Sequence, residues 1–408
     1  VENDKSRDGT EGCILKWSQY KSVEKICIKY SGRKFFFRMG IYMEIVHVTE
    51  CLAGGVLTFL VNFTHAFYDD THIIIYGKRA YTPDHVEKLF GSNVTLVFWE
   101  HATQKIQPYK DIIAFKELIY LLHNYKGADI IQLHSSKAGF LGRVACRVLG
   151  MISKTVYIPH GISFARQDIS YNKALFYIVL ERFANRLGGQ VVACSHSEGQ
   201  LCLNKGIKNV SVISNGIASS NYFFQKQGPL KPIIIGTSGR ITLQKNPALF
   251  LDIASHFYHN PYVKFLWIGD GEMHTILDGA ENIAVTGWLS YQKHKNELQN
   301  IDIYLSTASW EGLPYAVLEA MSLGKPLILS QCIGNIDLVK PEQNGFSYRT
   351  ANQASNEIRF FMHHPEQITV MGSQSHKMVQ TEFSLKNMKD KYMKLYHSVL
   401  SIDNTSQY

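Results

Sequence analysis

Residues 310–326 read W-E-G-L-P-Y-A-V-L-E-A-M-S-L-G-K-P. Gly312 and Pro314 mark a turn, and Pro314 suits a first helical position, where its missing N–H costs nothing. Ala316, Val317, Leu318, Ala320 and Met321 then supply an apolar cover. Gly324 reads as the left-handed residue that closes a helix, and Pro326 blocks its continuation. Apolar runs at 301–306 and 326–330 flank this segment as strands. The stretch is therefore a strand–loop–helix–strand unit, with Glu311 in the loop and Glu319 inside the helix.

With a helix starting near Pro314, Glu319 lies about two turns from Glu311. The two carboxylates can line one cleft without being packed against each other. The N-terminus of the same helix offers unpaired N–H groups to an anionic phosphate. Carboxylates for sugar hydroxyls and amides for phosphate are the equipment of a nucleotide-sugar site. The plain alternative is two solvated surface glutamates, the ordinary place for a charged side chain.

The 408 residues are 45% hydrophobic and 19% charged, enough for two ordinary domains with full cores. No run approaches the roughly 18 apolar residues of a membrane-spanning helix, and the first forty residues show no apolar segment followed by a small-residue cleavage site. Seven cysteines lie scattered at 13, 27, 51, 146, 194, 202 and 332 without a C-x-x-C pair, which fits a reducing compartment and small core residues. Of the net charge of +8, half sits in residues 1–38, where nine Lys/Arg face five Asp/Glu. The remainder is too dispersed for nucleic acid and suits contact with an anionic membrane surface. Residues 1–42 read unlike the rest, with natural starts at Met39 or Met43. They are expected to have little fixed structure, as a wrong start or a membrane-associating tail.

From residue 43 onward strand and helix patterns alternate. Strand 43–49 leads through Gly54-Gly55 into an apolar helix at 56–67, a junction where a ligand can approach backbone at a helix N-terminus. Strands at 72–76 and 94–98 precede a helix at 109–125, with Ile112, Ile113, Phe115, Leu118, Ile119 and Leu122 on its expected buried side. Strand 129–133 ends in H-S-S-K-A-G, and a polar loop at the C-terminal end of a parallel strand is where open α/β sheets bind ligands; Ser135 and Lys137 are acceptor-side candidates there. Strand 154–158 runs into Pro159-His160-Gly161, which gives His160 the same placement, and Arg166 follows as a candidate acceptor or phosphate contact. Ser195, with Glu198 three residues on, reads as a capping box, and Cys194 with His196 resembles a nucleophile–base pair only superficially, since adjacent side chains at a helix start need not face each other.

A polar linker at 218–231 separates a second βα series. Its first strand is read at 232–236; in the loop that follows stand Arg240 and Lys245, and Lys245 precedes Asn246-Pro247, a cap and first helical turn. Two cations and helix amides at one strand end neutralise a diphosphate. Tail helices are expected at 353–363 and about 385–399.

The segment E-G-L-P-Y-A-V-L-E, residues 311–319, resembles the E-x7-E motif of retaining glycosyltransferases of family 4, which have the GT-B fold, and Arg240 with Lys245 matches that family's R-x4-K motif. The resemblance extends from about residue 43 to about residue 400. It implies that Glu319 holds the nucleotide ribose, that Glu311 and His160 lie at the donor sugar, and that Arg240 and Lys245 take the departing diphosphate together with amides near Gly312, Leu313 and Pro314. It implies that Gly54 and Gly55 form a G-G-V loop touching the acceptor side and the donor phosphate. It also implies that Gly269 and Gly271 form a G-x-G turn lining the nucleotide cleft, and that Gly287 and Trp288 read the base.

The fold class expected is α/β, GT-B: two doubly wound Rossmann-like domains facing across a cleft. The acceptor-side domain is expected at 43–217 and the nucleotide-sugar domain at 232–384, with a helix at 385–400 crossing back to the first. The expected function is a metal-independent retaining hexosyltransferase that moves sugar from a nucleotide-diphosphate sugar, by family precedent a UDP-sugar, to a lipid-linked or oligosaccharide acceptor in surface-polysaccharide biosynthesis. No cofactor is expected, there being no D-x-D sequence and no clustered His/Asp ligands. Cytoplasmic placement, with peripheral contact at the inner membrane, is expected, and no nucleic-acid partner. Two alternatives share the architecture: a non-hydrolysing nucleotide-sugar epimerase, and an inactive binding subunit of a polysaccharide assembly complex.

Overall fold

Aliphatic runs too short for helices recur along the chain, and most are strands buried on both faces, the condition under which parallel sheets form. The computed structural model describes residues 25–30, 33–38, 42–79, 81–103, 105–219 and 232–405. The expected linker at 218–231 lies almost wholly outside them.

Within residues 1–42 little fixed structure was expected, and most of that stretch lies outside the described residues. Two segments of it are described: β1 (Lys25–Tyr30) and β2 (Arg33–Arg38) pair antiparallel, Lys25 opposite Arg38 and Tyr30 opposite Arg33. Both are rich in β-branched and aromatic residues, with Ser31-Gly32 between them in sequence, a hairpin pattern.

The next sheet holds β3 (Glu44–Thr49), β4 (Thr71–Tyr76), β5 (Val94–Phe98), β6 (Ile130–His134), β7 (Thr155–Ile158), β8 (Gln190–Ala193) and β9 (Val210–Val212). All are parallel, in the order β5-β4-β3-β6-β7-β8-β9. Helices α1 (Gly54–Ala66), α2 (Pro108–His123), α3 (Ser136–Val148), α4 (Tyr171–Leu187) and α5 (His196–Asn204) alternate with these strands. On α2 the buried side chains are Ala114, Leu118 and Leu122, while Ile112, expected inside, is 56% exposed. Six positions from Leu118, it stands about a third of a turn off the buried line.

The last sheet holds β10 (Ile233–Ser238), β11 (Val263–Ile268), β12 (Ile283–Val285), β13 (Ile303–Ser306), β14 (Leu327–Ser330) and β15 (Gly345–Tyr348), again all parallel, in the order β12-β11-β10-β13-β14-β15. Its helices are α6 (Pro247–Ser255), α7 (Tyr291–Asn300), α8 (Tyr315–Ser322), α9 (Ala351–His363), α10 (Glu366–Thr381) and α11 (Leu385–Thr405). Helix α10 was not among the expected tail helices, and its Ser, Thr and Gly are weak helix formers. Its helical state rests on burial of Ile368, Met371, Met378 and Val379. Gly372 lets it touch the chain after α8, for a Cβ there would sit 2.0 Å from the Gly324 carbonyl.

In each sheet the strand order reverses beside its first strand, at β3/β6 and at β10/β13. The carboxyl ends of the strands at such points form the crevice in which open α/β sheets bind ligands. The two sheets present these ends to one cleft. Helix α11 packs on α1: the Tyr392 ring meets Phe59 and Phe63, and the Tyr396 ring meets Phe67.

Candidate nucleotide-sugar site

The cleft has a volume of about 640 Å³ and is walled by loops of both sheets. On one side stand Gly54 and Gly55 at the start of α1, with His160 after β7; on the other stand Arg240, Lys245, Gly269, Gly287, Trp288, Glu311, Gly312, Leu313, Pro314 and Glu319. A Cβ at Gly54 or Gly55 would meet nothing within 4 Å, so the tip of α1 is open to a ligand.

Lys245 and Glu311 are ion-paired, Nζ to Oε1 at 2.8 Å. Burial works against the Lys245 charge, and the Glu311 carboxylate together with neighbouring Tyr304 and Cys332 more than offsets it, so the ammonium is held above its ordinary range. Asn246 caps α6 by accepting from the Leu249 N–H at 3.2 Å, which fixes the loop carrying Lys245. Arg240 is exposed and its guanidinium lies 5.2 Å from the Tyr81 ring centre. Tyr81 in turn leans on Trp288, ring centres 5.9 Å apart.

Helix α8 begins one residue later than expected: Pro314 occupies the cap with extended backbone (φ −71°, ψ 122°) and Tyr315 is the first helical residue. The first helical N–H groups have no partner within the helix, and Tyr315 and Ala316 both line the cleft wall. Gly324 closes the helix at φ 69°. Glu319 lines the cleft one turn into α8, and burial pushes its carboxyl up to about 7.

Gly312 is walled in by two other glycines. A Cβ on it would stand 2.6 Å from the Gly161 nitrogen and 2.9 Å from the His160 carbonyl carbon, and one on Gly334 would stand 2.4 Å from the Gly312 oxygen. The P-H-G loop and the E-G-L loop therefore meet backbone to backbone. Asn215 strengthens the junction by donating from Nδ2 to the Leu313 carbonyl at 2.9 Å.

Four expected residues do not line this cleft. Ser135 bonds to the Glu50 carboxylate. Lys137 is committed to Asp111 at 2.5 Å and to the Lys105 carbonyl at 2.8 Å. Arg166 is paired with Asp168, Nε to Oδ1 at 2.8 Å. Gly271 lies behind the wall, where a Cβ would fall 2.3 Å from the Ile241 oxygen; of the G-x-G turn only Gly269 reaches the cleft.

His160 lines the cleft with a left-handed backbone (φ 54°), but both ring nitrogens face protein. Nε2 lies 2.9 Å from His134 Nδ1, and Nδ1 lies 3.8 Å from Cys194 Sγ. Its loop hangs on Glu198, which is fully buried and accepts from the Gly161 and Ile162 N–H groups at 2.9 Å each. Ser195 does cap α5, accepting from the Glu198 N–H at 3.2 Å, but the return bond of a capping box goes instead to the Cys194 N–H, at 2.8 Å.

Sequence reasoning missed Tyr81, Asn215, Tyr291 and His294, which all line the cleft. His294 lies 2.7 Å from Ser238 Oγ. Tyr81 and Asn215 carry no motif; Tyr291 and His294 open a helix that follows a strand-end loop, a signal that was available. Among the described residues no group of three or more His, Cys, Asp or Glu could hold a metal ion, and no helix is long and apolar enough to cross a membrane.

Comparison with known proteins agrees with this layout. Residues 53–220 match the model of Glycosyltransferase Family 4, and residues 219–378 match that of Glycosyl transferases group 1. An Escherichia coli protein, UDP-Gal:alpha-D-GlcNAc-diphosphoundecaprenol alpha-1,3-galactosyltransferase, is 29% identical over 70% of this chain and 79% of its own length. An uncharacterized 41.2 kDa protein in the cps region of Klebsiella pneumoniae is 24% identical over 87% of this chain and all of its own. The crystal structure of Anabaena HepE in complex with UDP and glucose superposes with a TM-score of 0.71 at 17% identity, covering 88% of this chain and 100% of that one. Two adjoining family matches, relatives along most of the length and a shared two-sheet architecture identify a GT-B-fold glycosyltransferase, one that resembles the family 4 enzymes of bacterial surface-polysaccharide synthesis.

Proposed function

We propose that the protein is a retaining hexosyltransferase that takes its sugar from a UDP-hexose and passes it to a sugar on a polyprenyl diphosphate, at the cytoplasmic face of a membrane. The observation that carries this reading is the convergence of Arg240, Lys245, Glu311, Glu319 and the tip of α8 on one cleft. The residues of 232–384 hold the donor and those of 43–217 the acceptor. Ionised Glu319 accepts from the ribose hydroxyls. Trp288, Tyr81 and the backbone at Gly287 flank the base. The diphosphate lies between Arg240, Lys245 and the amides at the head of α8.

As the bond from the anomeric carbon to the phosphate oxygen breaks, negative charge grows on the diphosphate, and those cations and amides stabilise it. The acceptor oxygen bonds to the same carbon from the face that the diphosphate leaves, and its proton passes to the departing phosphate oxygen. Glu311 holds Lys245 at this place. The charge is met by side chains and amides, so transfer is expected to persist in EDTA.

The acceptor reading is supported by the name of the Escherichia coli relative, whose acceptor sugar is carried on diphosphoundecaprenol. It is supported also by α4, which exposes Tyr171, Leu175, Phe176, Val179 and Phe183 beside Lys173, Arg182 and Arg186. Apolar rings among cations suit an anionic bilayer surface. Incubating the protein with labelled UDP-hexoses, with and without a polyprenyl-diphosphate sugar, tests the reading. Transfer needs the acceptor, whereas an epimerase acts without it and an inactive subunit does neither.

A further inference from the structure

Four histidines stand in one diagonal row across the first large sheet. His72 is on β4, His47 on β3, His134 on β6, and His160 directly follows Pro159 at the end of β7. In the strand register His72 is opposite Ile45, His47 opposite Gln132, and His134 opposite Ile158. Each step is thus one strand sideways and two residues forward, which keeps all four side chains on one face. The row starts in the sheet interior and ends at the cleft.

The rings touch in sequence. His72 Nε2 lies 3.1 Å from the Phe67 carbonyl oxygen, and His72 Nδ1 lies 3.0 Å from His47 Nε2. His47 Nδ1 lies 3.1 Å from His134 Nε2, and His134 Nδ1 lies 2.9 Å from His160 Nε2. Phe59 and Phe63 of α1 close over the row. Burial holds every one of these imidazoles down, His72 to about 4, His160 to about 3, and His47 and His134 well below the usual range. All four are neutral at pH 7, and a neutral imidazole has one N–H.

That fact gives the row a direction. The Phe67 carbonyl only accepts, so His72 donates to it from Nε2 and its Nδ1 is bare. His47 must then donate from Nε2, His134 from Nε2, and His160 from Nε2. His160 Nδ1 is left as an acceptor toward the Cys194 thiol, which burial keeps protonated. Cys194 and His160 therefore do not form a nucleophile–base pair. The inner end is a peptide carbonyl with nowhere to send a proton, so the row does not conduct protons. It is a clamp.

We propose that His72, His47 and His134 are positioning residues that lock His160 in a single tautomer and hold the P-H-G loop at its working height in the cleft. His160 needs such support, because a left-handed backbone at a non-glycine residue persists only where surrounding contacts enforce it. Its height matters, because the same loop abuts the backbone of Gly312. A shift of the row is passed directly to the E-G-L loop.

The test has two arms, and only the second rests on the glycosyltransferase reading. First, two-bond proton–nitrogen correlation spectra of the wild-type protein at pH 7 should show His72, His47, His134 and His160 all protonated on Nε2 and bare on Nδ1. Any of the four protonated on Nδ1, doubly protonated, or averaged between tautomers overturns the proposal. Second, His47→Phe keeps a ring in place but breaks the row two strands away from the cleft. His160 should then lose its single tautomer, and kcat for transfer should fall about tenfold, the worth of one net hydrogen bond, with KM for the nucleotide sugar unchanged. A His47→Phe protein that keeps His160 on Nε2 and transfers at the wild-type rate contradicts it. If His47→Phe does not fold, the wild-type spectra alone decide.

Discussion

Lys245 Nζ lies 2.8 Å from Glu311 Oε1, a contact that ties the R-x4-K loop after β10 to the E-x7-E loop after β13. Two segments far apart in sequence thus share one charge pair at the floor of the cleft. Removing either partner strands the other charge away from water. Lys245→Met is expected to lower kcat by about a hundredfold to a thousandfold, the usual loss when a group facing developing charge is deleted. Glu311→Gln is expected to lower it less, since it acts through Lys245. The double variant should be no worse than Lys245→Met, and steady-state kinetics of the three proteins read that non-additivity.

Glu319 gives a pH signature. Burial raises its carboxyl to about 7 in the free protein, so it is mostly neutral below that pH and charged above it. Ribose hydroxyls donate to the charged form and pull the pKa down. Donor affinity should therefore rise as pH climbs toward 7 and level off above it, with proton release on UDP binding near pH 6. Calorimetry in two buffers of different ionisation enthalpy measures that release. The apo-protein carries the opposite trend: the raised pKa makes this group's contribution to stability fall as pH rises from the usual carboxylate range to about 7. Glu319→Gln should remove both effects.

Gly312 tests the junction of the loops. Its own backbone is not in the left-handed region, so an alanine there has no conformational penalty. What opposes it is space, with backbone of Gly161 and His160 inside 3 Å of the added carbon. Gly312→Ala is expected to keep the thermal transition within a few degrees while kcat falls about tenfold or more, because the loops must part. Alanine at Gly55, where the added carbon meets nothing, is the control and should leave the fold intact.

Helix α4 is expected to bring the protein to anionic vesicles. Phosphatidylglycerol-containing liposomes should co-float with the wild type, and neutral phosphatidylcholine liposomes should not. Replacing Phe176 and Phe183 with serine, or Arg182 and Arg186 with glutamine, should each weaken flotation without changing hydrolysis or transfer on a soluble acceptor analogue. Equal flotation of all variants would remove α4 from the account.

The fold and the polar floor of the site were legible because each sits in a short local pattern. Aliphatic runs announced the strands, and the Pro-Gly punctuation around residues 312–326 announced α8. Arg240 and Lys245, and Glu311 and Glu319, are spaced within single loops or helices, so their joint placement follows from local geometry. What was not legible depends on register between distant strands. His47, His72 and His134 each look like an isolated histidine in an apolar strand, and the diagonal appears only when four strands are aligned. Glu198 looked like the far half of a capping box and instead holds the loop of His160. Ser135, Lys137 and Arg166 sit at suitable strand ends, yet neighbouring carboxylates claim all three. Local sequence shows where a side chain starts and not which partner reaches it first.

The most direct measurement is transfer of labelled sugar from a UDP-hexose to a polyprenyl-diphosphate sugar, followed by NMR of the new linkage, for the wild type, Arg240→Ala and Glu319→Ala. The account predicts acceptor-dependent transfer with the donor's anomeric configuration kept, and loss of transfer in both folded variants. An inverted linkage, release of an epimerised sugar without acceptor, or undiminished rates in both variants would contradict it.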